Sequence, residues 1–402
     1  MKMQYRKDRY GNPISVLGYG CMRFTARAGK IDLDKAEKEI MAAIEGGVNY
    51  FDTAYIYAGS EAALGEILRR NNARNRVNIA TKLPHYLLKK PDSMEKYFQE
   101  QLRRLQTDHV DYYLMHMLTD VSSWEKLTDM GIQDWIREQK SRGTIRQIGF
   151  SYHGDSAMFR KVLDAYDWDF CQIQYNYMDE HTQAGRTGLQ AAAGRGIPVM
   201  IMEPLRGGKL VNLLPDEAIR MIRETPGVES PAQLAFSWLW DQKEVTCVLS
   251  GMNSLDMVRE NCRWADAAVP GYMTEKTRAL TGRVRDVLRS RILVGCTGCR
   301  YCMPCPHGVD IPGTLHCYHL TATERPSSAR HEFMQTIALR EQPATPDQCI
   351  GCHACEKKCP QHLPIVESLE KARRALMPPH YRLATRVARG WLYYRRKRKA
   401  TV

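Results

Sequence analysis

Eight of the thirteen cysteines of this 402-residue chain stand in two short runs near its C-terminal end. The later run is Cys349, Cys352, Cys355 and Cys359 followed by Pro360, a C-x-x-C-x-x-C-x-x-x-C-P pattern. Such spacing lets successive backbone turns aim three thiolates at one iron–sulfur cube, while the fourth reaches a neighbouring cube. The earlier run is Cys296, Cys299, Cys302 and Cys305 before Pro306, one residue tighter at its end. Each proline stops the chain from continuing as helix. Two [4Fe–4S] clusters are expected, with Cys296, Cys299, Cys302 and Cys359 on one and Cys349, Cys352, Cys355 and Cys305 on the other. The tighter first run also allows all four of its own cysteines to hold one cube. Zinc is the competing reading, but a zinc ribbon takes paired ligands rather than runs of three or four. Cys21, Cys171, Cys247, Cys262 and Cys317 lack such spacing and read as packing residues.

Length alone calls for two or more domains. Hydrophobic residues make up 44% and charged residues 26%, as in a globular protein with an ample core. No stretch of about 18 apolar residues suggests a membrane span. Met1 to Tyr10 is charged and has no apolar run of a secretory signal. A cytoplasmic protein is expected, with thiolates kept reduced for metal and clusters sensitive to oxygen. The net charge of +13 is uneven. Arg382, Arg386, Arg389, Arg395, Arg396, Lys397, Arg398 and Lys399 lie within residues 380–402, which contain no acid. Leu383, Val387, Trp391 and Tyr394 recur there at near-helical spacing. A basic amphipathic tail of this kind can meet an anionic membrane surface or a partner, or remain solvated. No specific nucleic-acid motif accompanies it.

From Ser15 to Trp264, short apolar runs alternate with longer amphipathic segments. Strands are predicted at Ser15–Gly20, Val48–Thr53, Val77–Thr81, Val110–Met115, Arg146–Ser151, Phe170–Gln174, Pro198–Met202 and Val245–Leu249. Helices are predicted between them, at Asp34–Glu45, Ser60–Arg69, Met94–Leu105, Ala157–Ala165 and Pro231–Trp240. Eight strand–helix units in about 250 residues fit a closed (β/α)8 TIM barrel, an α/β fold, better than an open sheet. Tyr5 to Pro13 reads as a hairpin ahead of it. The resulting division is a barrel over 1–274, a connecting helix over 275–293, a cysteine-rich, mostly helical dicluster ferredoxin-like domain over 294–379, and the tail over 380–402.

Chemistry in such barrels gathers at the C-terminal ends of the strands. Those ends carry Asp52, Lys82 and His116, with Tyr57 in the loop after the second strand. An ammonium beside a phenol is expected to draw its pKa down from about 10 and so prepare a proton donor. Asp52 would hold the lysine, and His116 would orient a carbonyl oxygen or relay a proton.

The segments GVNYFDTAYIYAGSEAALGEIL, IATKL, DYYLMH and IGFSYH resemble the aldo-keto reductase family, in the family's order, over roughly Arg9 to Cys262. The resemblance implies Asp52, Tyr57, Lys82 and His116 as catalytic tetrad and a nicotinamide cofactor extended across the barrel mouth. It places carboxamide contacts at Ser151 and Gln174, although Tyr152 replaces the usual asparagine. Met202 stands where a tyrosine usually stacks on the nicotinamide, and Glu203 where a serine usually follows. Glu260 and Asn261 match the adenine end, but the usual lysine and arginine before them are Gly251 and Met257. With those cations missing, NADP and NAD both stay open, and Arg259 or Arg206 is available to compensate. CTGCRYCMPCPHGVDIP and CIGCHACEKKCPQHLPI are similar to the ferredoxin-like extension of the family's iron–sulfur-containing group.

The expected function is an iron–sulfur oxidoreductase: NAD(P)H-linked carbonyl or alcohol chemistry through Tyr57, with clusters passing electrons to a redox partner protein or a flavin. The alternatives are an electron-transfer or scaffold protein whose barrel has lost carbonyl reduction, and clusters that only brace the fold. Trp124 and Trp135 fit either the wall of an apolar pocket or, equally well, core or surface packing. The substrate's identity and the oligomeric state leave no mark on the sequence.

Overall fold

A computed structural model describes residues 2–381 apart from 28, 155, 292, 297, 299, 324, 325, 340–342, 360 and 361. The basic tail beyond residue 381 and the expected ligand Cys299 therefore lie outside the described residues. The chain divides into two compact units, one of Met1–Asn212 with Arg220–Arg283, the other of Leu213–Ile219 with Val284 onward.

The first unit is the expected barrel. Its strands are β1 (Leu17–Gly20), β2 (Tyr50–Asp52), β3 (Asn78–Leu83), β4 (Val110–Leu118), β5 (Ile145–Tyr152), β6 (Phe170–Gln174), β7 (Val199–Met202) and β8 (Cys247–Ser250). All pair in parallel and in chain order, and β8 returns to β1 with Val248 opposite Leu17. Parallel strands need crossover helices, and these arrive where the periodicity changes. They are α1 (Leu33–Glu45), α2 (Ser60–Arg70), α3 (Ser93–Leu105), α4 (Val121–Asp129), α5 (Ile132–Ser141), α6 (Ser156–Asp164), α7 (Gly185–Ala193), α8 (Lys209–Asn212), α9 (Asp216–Arg223), α10 (Pro231–Trp240) and α11 (Leu255–Ala265). Local chemistry fixes their starts: Asp32 accepts from Lys35 N, and Ser230 accepts from Gln233 N with Pro231 in the first turn.

Side chains alternate in and out along each strand. Tyr50, Ala80, Tyr112, Leu114, Phe170, Met200, Cys247 and Leu249 point inward and form a core of their own. Phe51, Ile79, Tyr113, Phe150, Ile173 and Ile201 point outward beneath the helices in a larger core. The interior is crowded enough to require a missing side chain at Gly18, where a Cβ would lie 2.7 Å from Leu249 and 2.8 Å from Cys247. Cys21, Cys171, Cys247, Cys262 and Cys317 are all buried in these cores or in that of the second unit, as packing residues.

The floor is an antiparallel pair, Tyr5–Lys7 with Pro13–Ser15, turning through residues 8–12. Asp8 at that turn is buried and carries the floor's polar accounts. It accepts from Tyr112 Oη at 2.9 Å, from Gln147 Nε2, and from the backbone N–H groups of Tyr10 and Asn12 at 2.9 and 2.8 Å. Burial alone would raise its pKa, but the donors from Asn12, Gln147 and Tyr112 outweigh it and hold the carboxyl below its ordinary range.

The second unit is mostly helical: α12 (Glu275–Ser290) leads into it, followed by α13 (Ile311–Thr323), α14 (Pro326–Phe333), α15 (Ala354–Lys357) and α16 (Ile365–Leu376). The boundary between the units falls within α12. One small core joins Cys317, Phe333, Ile337, Ala372 and Leu376. A second, of Val309, Ile311, Leu315, Ile365 and Leu369, includes Cys359 and has Cys296, Cys302, Cys305, Cys349 and Cys355 packed against it. Among the described residues no helix is long and apolar enough to cross a membrane.

Replacing Asp8 by Ala leaves the Tyr112 and Gln147 donors without their acceptor at the barrel floor. Chemical denaturation at neutral pH should show a loss of about 2–4 kcal/mol. Because the folded pKa is depressed, this contribution is complete above the unfolded carboxylate value of 3.8 and fades as pH falls through the folded one. Equal losses at pH 7 and pH 2 would contradict the role.

Candidate active site

The inward period that fills the barrel with Tyr50, Ala80 and Leu114 continues two residues further to Asp52, Lys82 and His116. All three are nearly inaccessible, at 4%, 1% and 4% exposure. Lys82 Nζ donates to Asp52 Oδ1 at 2.6 Å and to the carbonyl of Thr53 at 2.8 Å. Gln101 of α3 anchors the lysine's backbone by donating to its carbonyl at 3.1 Å. The same amide donates to buried Glu61 of α2 at 2.8 Å, and Thr81 donates to that carboxylate at 2.7 Å. The strand carrying Lys82 is thereby tied to two helices.

Tyr57 is held in a tight connection between β2 and α2. Its N–H donates to Ala54 O and its carbonyl accepts from Ser60 N, each at 3.0 Å. Gly59, at φ +75°, permits the turn into α2. Ser60 Oγ donates to the carbonyl of Cys21 at 2.9 Å, fixing the loop against the turn after β1. The phenol ring lies with Lys82 Nζ 5.1 Å from its centroid and His116 edge-on at 6.1 Å.

His116 lies inside β4, which runs on to Leu118 through a register irregularity between Met115 and Leu118. Met117 there takes a left-handed φ of +61° and donates its N–H to Ser151 Oγ at 2.8 Å. Bulges of this kind re-aim side chains at strand ends. The sequence pattern ends the strand at Met115 and carries no signal for it.

Charge in this pocket follows from burial. Desolvation would lower the Lys82 pKa, but the Asp52 carboxylate in contact works against it, the pKa ends raised, and the ammonium stays charged. Desolvation raises Asp52 against the pull of Lys82. His116 is driven down to about 2, by desolvation first and then by Lys82, His153 and His85, so it is neutral. Among the described residues its buried Nδ1 has no hydrogen-bond partner. Tyr57 corrects the sequence reading. Lys82 does pull its pKa down, but desolvation together with the carboxylates of Asp52 and Glu203 wins, and the pKa is raised above 10.0.

The other expected contacts divide. Ser151, Gln174 and Met202 stand at the ends of β5, β6 and β7 on the mouth side. Gln174 already donates to Asp179 at 3.2 Å and accepts from Gln183 at 3.1 Å. Glu260 is exposed on α11, whereas Asn261 is buried and donates to Ser250 Oγ at 3.1 Å. Of the two readings open for Trp124 and Trp135, the structure takes packing. Trp124 packs on Tyr166 and Trp168 beneath α4, and Trp135 packs on Phe98 and donates to Glu95 at 2.7 Å.

In the second unit, Cys302 and Cys305 line one cavity with Cys349, Cys352 and Cys355. Pro304, Pro306, Ile311, Val366 and Leu369 form its apolar wall. Cys296 packs on the same core as Cys302 and buried Cys359. Among the described residues every cysteine is a free thiol, and no three potential ligands stand close enough to hold a single ion. Grouped thiols in an apolar shell suit a cluster of several irons.

Residues 16–280 match the aldo/keto reductase family, about two thirds of the chain. The chain belongs to the aldo/keto reductase family. Residues 295–364 match a 4Fe-4S dicluster domain, so this aldo/keto reductase carries an iron–sulfur extension after its barrel. An aldo-keto reductase of Mycolicibacterium vanbaalenii is 28% identical over 258 residues, covering 62% of this chain and 82% of that one. The NADH-specific methylglyoxal reductase of Escherichia coli is 24% identical, covering 58% and 83%. In structure, the barrel is similar to aldo-keto reductase AKR11C1 of Bacillus halodurans, with TM-score 0.58 and 24% identity over 70% of this chain and 96% of that one. It is also similar to a Klebsiella pneumoniae aldo-keto reductase in complex with NADPH, with TM-score 0.56 and 22% identity over 71% and 96%. The aldo/keto reductase is thus an oxidoreductase with the fold that its sequence announced.

The Lys82–Asp52 pair makes a stability test of this geometry. Lys82→Met strands a carboxylate inside the barrel and should cost about 3–5 kcal/mol at pH 7. Adding Asp52→Asn removes the stranded charge, so the double variant should recover much of that loss in a double-mutant cycle. Losses that simply add would show that the two groups do not pair.

Proposed function

We propose that the barrel mouth catalyses NAD(P)H-linked reduction of a small carbonyl compound, and the reverse oxidation of its alcohol. The observation that carries this reading is a phenol held protonated beside a buried ammonium and a neutral imidazole. Tyr57 is the proton donor, because its raised pKa keeps the proton in place until charge develops on a substrate oxygen. Lys82 then stabilises the phenolate that remains, since its ammonium is fixed by Asp52 and cannot move away. His116, neutral, directs the carbonyl oxygen toward Tyr57 by hydrogen bonding from one ring nitrogen. Reduced nicotinamide supplies the hydride when bound. Ser151 and Gln174 would take its carboxamide, Met202 would pack on the ring face, and Glu260 and Asn261 would flank the adenine end. Among the described residues the buried acceptor Gln172 Oε1, just below Gln174 on the inward face of β6, has no hydrogen-bond partner, and it adds a further polar group to that side of the mouth.

Two [4Fe–4S] clusters would be held by Cys296, Cys299, Cys302 with Cys359, and by Cys349, Cys352, Cys355 with Cys305. The shared cavity of Cys305 with Cys349, Cys352 and Cys355 favours that second set. Such clusters pass electrons singly, so linking them to a hydride reaction takes a flavin, bound here or carried by a redox partner protein.

The test uses anaerobically purified holoprotein carrying about eight irons per chain, as two cubes require. Tyr57→Phe should lower kcat for simple aldehydes by about 10²–10⁴-fold while nucleotide binding is retained. Full turnover in the variant would reject Tyr57 as the acid.

A further inference from the structure

We infer that the face of the second unit formed by Ile350, Cys352 and Lys358 is its electron port, and that it docks a small acidic one-electron carrier protein. This rests on the reading that the clusters serve a redox partner, with Cys305, Cys349, Cys352 and Cys355 holding one cube.

Burial singles out that cube. Cys352 is the only exposed cysteine among the described residues, whereas Cys359, assigned to the other cube, is buried. Ile350, between Cys349 and Gly351, lines the cavity of the cysteines and is still 68% exposed, so one side chain reaches from the site to solvent. Tyr301, next to Cys302 of the same cavity, is 66% exposed. These are the two most exposed large apolar side chains among the described residues. Apolar residues scattered singly over a surface need no partner, but here both extremes adjoin cysteines of one cavity. Electron-transfer encounters bury little area, so a few apolar atoms at the centre suffice when charge at the rim does the steering.

The charge at that rim has one sign. No acid lines the cavity, where Lys358, His307 and His353 stand among the cysteines. Lys357 and Lys358 are exposed and, like Arg300 beside Tyr301, make no ion pair or side-chain hydrogen bond among the described residues. Between Asp286 and Asp310 the chain carries Arg289, Arg291 and Arg300 and no acid. The two acids of residues 347–359 are met by other groups. Glu356 has His353 Nδ1 at 2.6 Å and accepts from Val366 N at 2.8 Å, and the charge of Asp347 acts on Arg373. An acidic carrier is attracted to such a rim, and a basic one is repelled. A cation beside a thiolate-held cube also shifts its potential, so docking has to be read separately from potential.

The experiment uses anaerobic holoprotein with its clusters reduced by dithionite and the excess removed. Stopped-flow mixing follows electron transfer to two probes, flavodoxin, which is acidic, and cytochrome c, which is basic. In each transfer one reduced cube loses one electron. The flavin takes it with a proton from solvent, and the haem iron goes from Fe(III) to Fe(II). The rate with flavodoxin should fall steeply as ionic strength rises from about 0.02 to about 0.5 M, because screening removes the attraction. Lys357→Glu combined with Lys358→Glu should slow transfer to flavodoxin by about 10- to 100-fold at low salt and speed transfer to cytochrome c. A change acting only through cluster potential would move both rates in one direction, and would overturn the docking role. Calorimetry of oxidised flavodoxin with oxidised holoprotein reads docking without turnover, and its Kd should rise about 10-fold in the double variant. Iron content shows that the variant holds its clusters, and the milder Lys358→Gln should shift each quantity the same way by less. A flavodoxin rate indifferent to salt and to both variants would overturn the assignment of this face. If the reduced clusters pass electrons to neither probe, the partner reading itself fails, and the port falls with it.

Discussion

The barrel mouth depends on one ion pair, Lys82 with Asp52, buried where water cannot screen it. An ammonium at that depth is tolerable only with a carboxylate in contact and a carbonyl accepting a second proton. Asp52 and Thr53 provide both from the end of β2. The pair then sets the charge of everything around it. It adds repulsion to the burial that already keeps His116 neutral, and it leaves Tyr57 facing a cation that lowers its pKa less than burial and two carboxylates raise it. A pocket with this balance holds its proton at rest and yields it only to a substrate oxygen that is gaining charge.

Much of this was legible from spacing. The inward period of two places Asp52, Lys82 and His116 on one face as soon as the strands are recognised. β6 at Phe170–Gln174 and α10 at Pro231–Trp240 match their predicted bounds, the latter because Ser230 and Pro231 mark the start unambiguously. The cysteine runs are equally local, since their chemistry needs only short separations along the chain.

What stayed hidden depends on residues distant in sequence. The bulge around Met117 exists because Ser151, on the next strand, accepts its N–H. The sequence leaves Trp124 and Trp135 between a pocket wall and packing, because their partners Trp168 and Phe98 lie far along the chain. The direction of the Tyr57 shift could not be had from its neighbours alone, because desolvation is a property of the closed barrel.

A protonated Tyr57 is what separates a proton-donating site from a phenolate that merely pairs with Lys82. Selective ¹³Cζ labelling of tyrosine, with Tyr57→Phe to assign the resonance, would follow that one phenol through a pH titration of the nucleotide-free protein. The resonance should keep its protonated position to pH 10 and beyond, as a raised pKa requires. Deprotonation between about pH 7 and 9, below the ordinary tyrosine value, would contradict the account and make Tyr57 a resident phenolate.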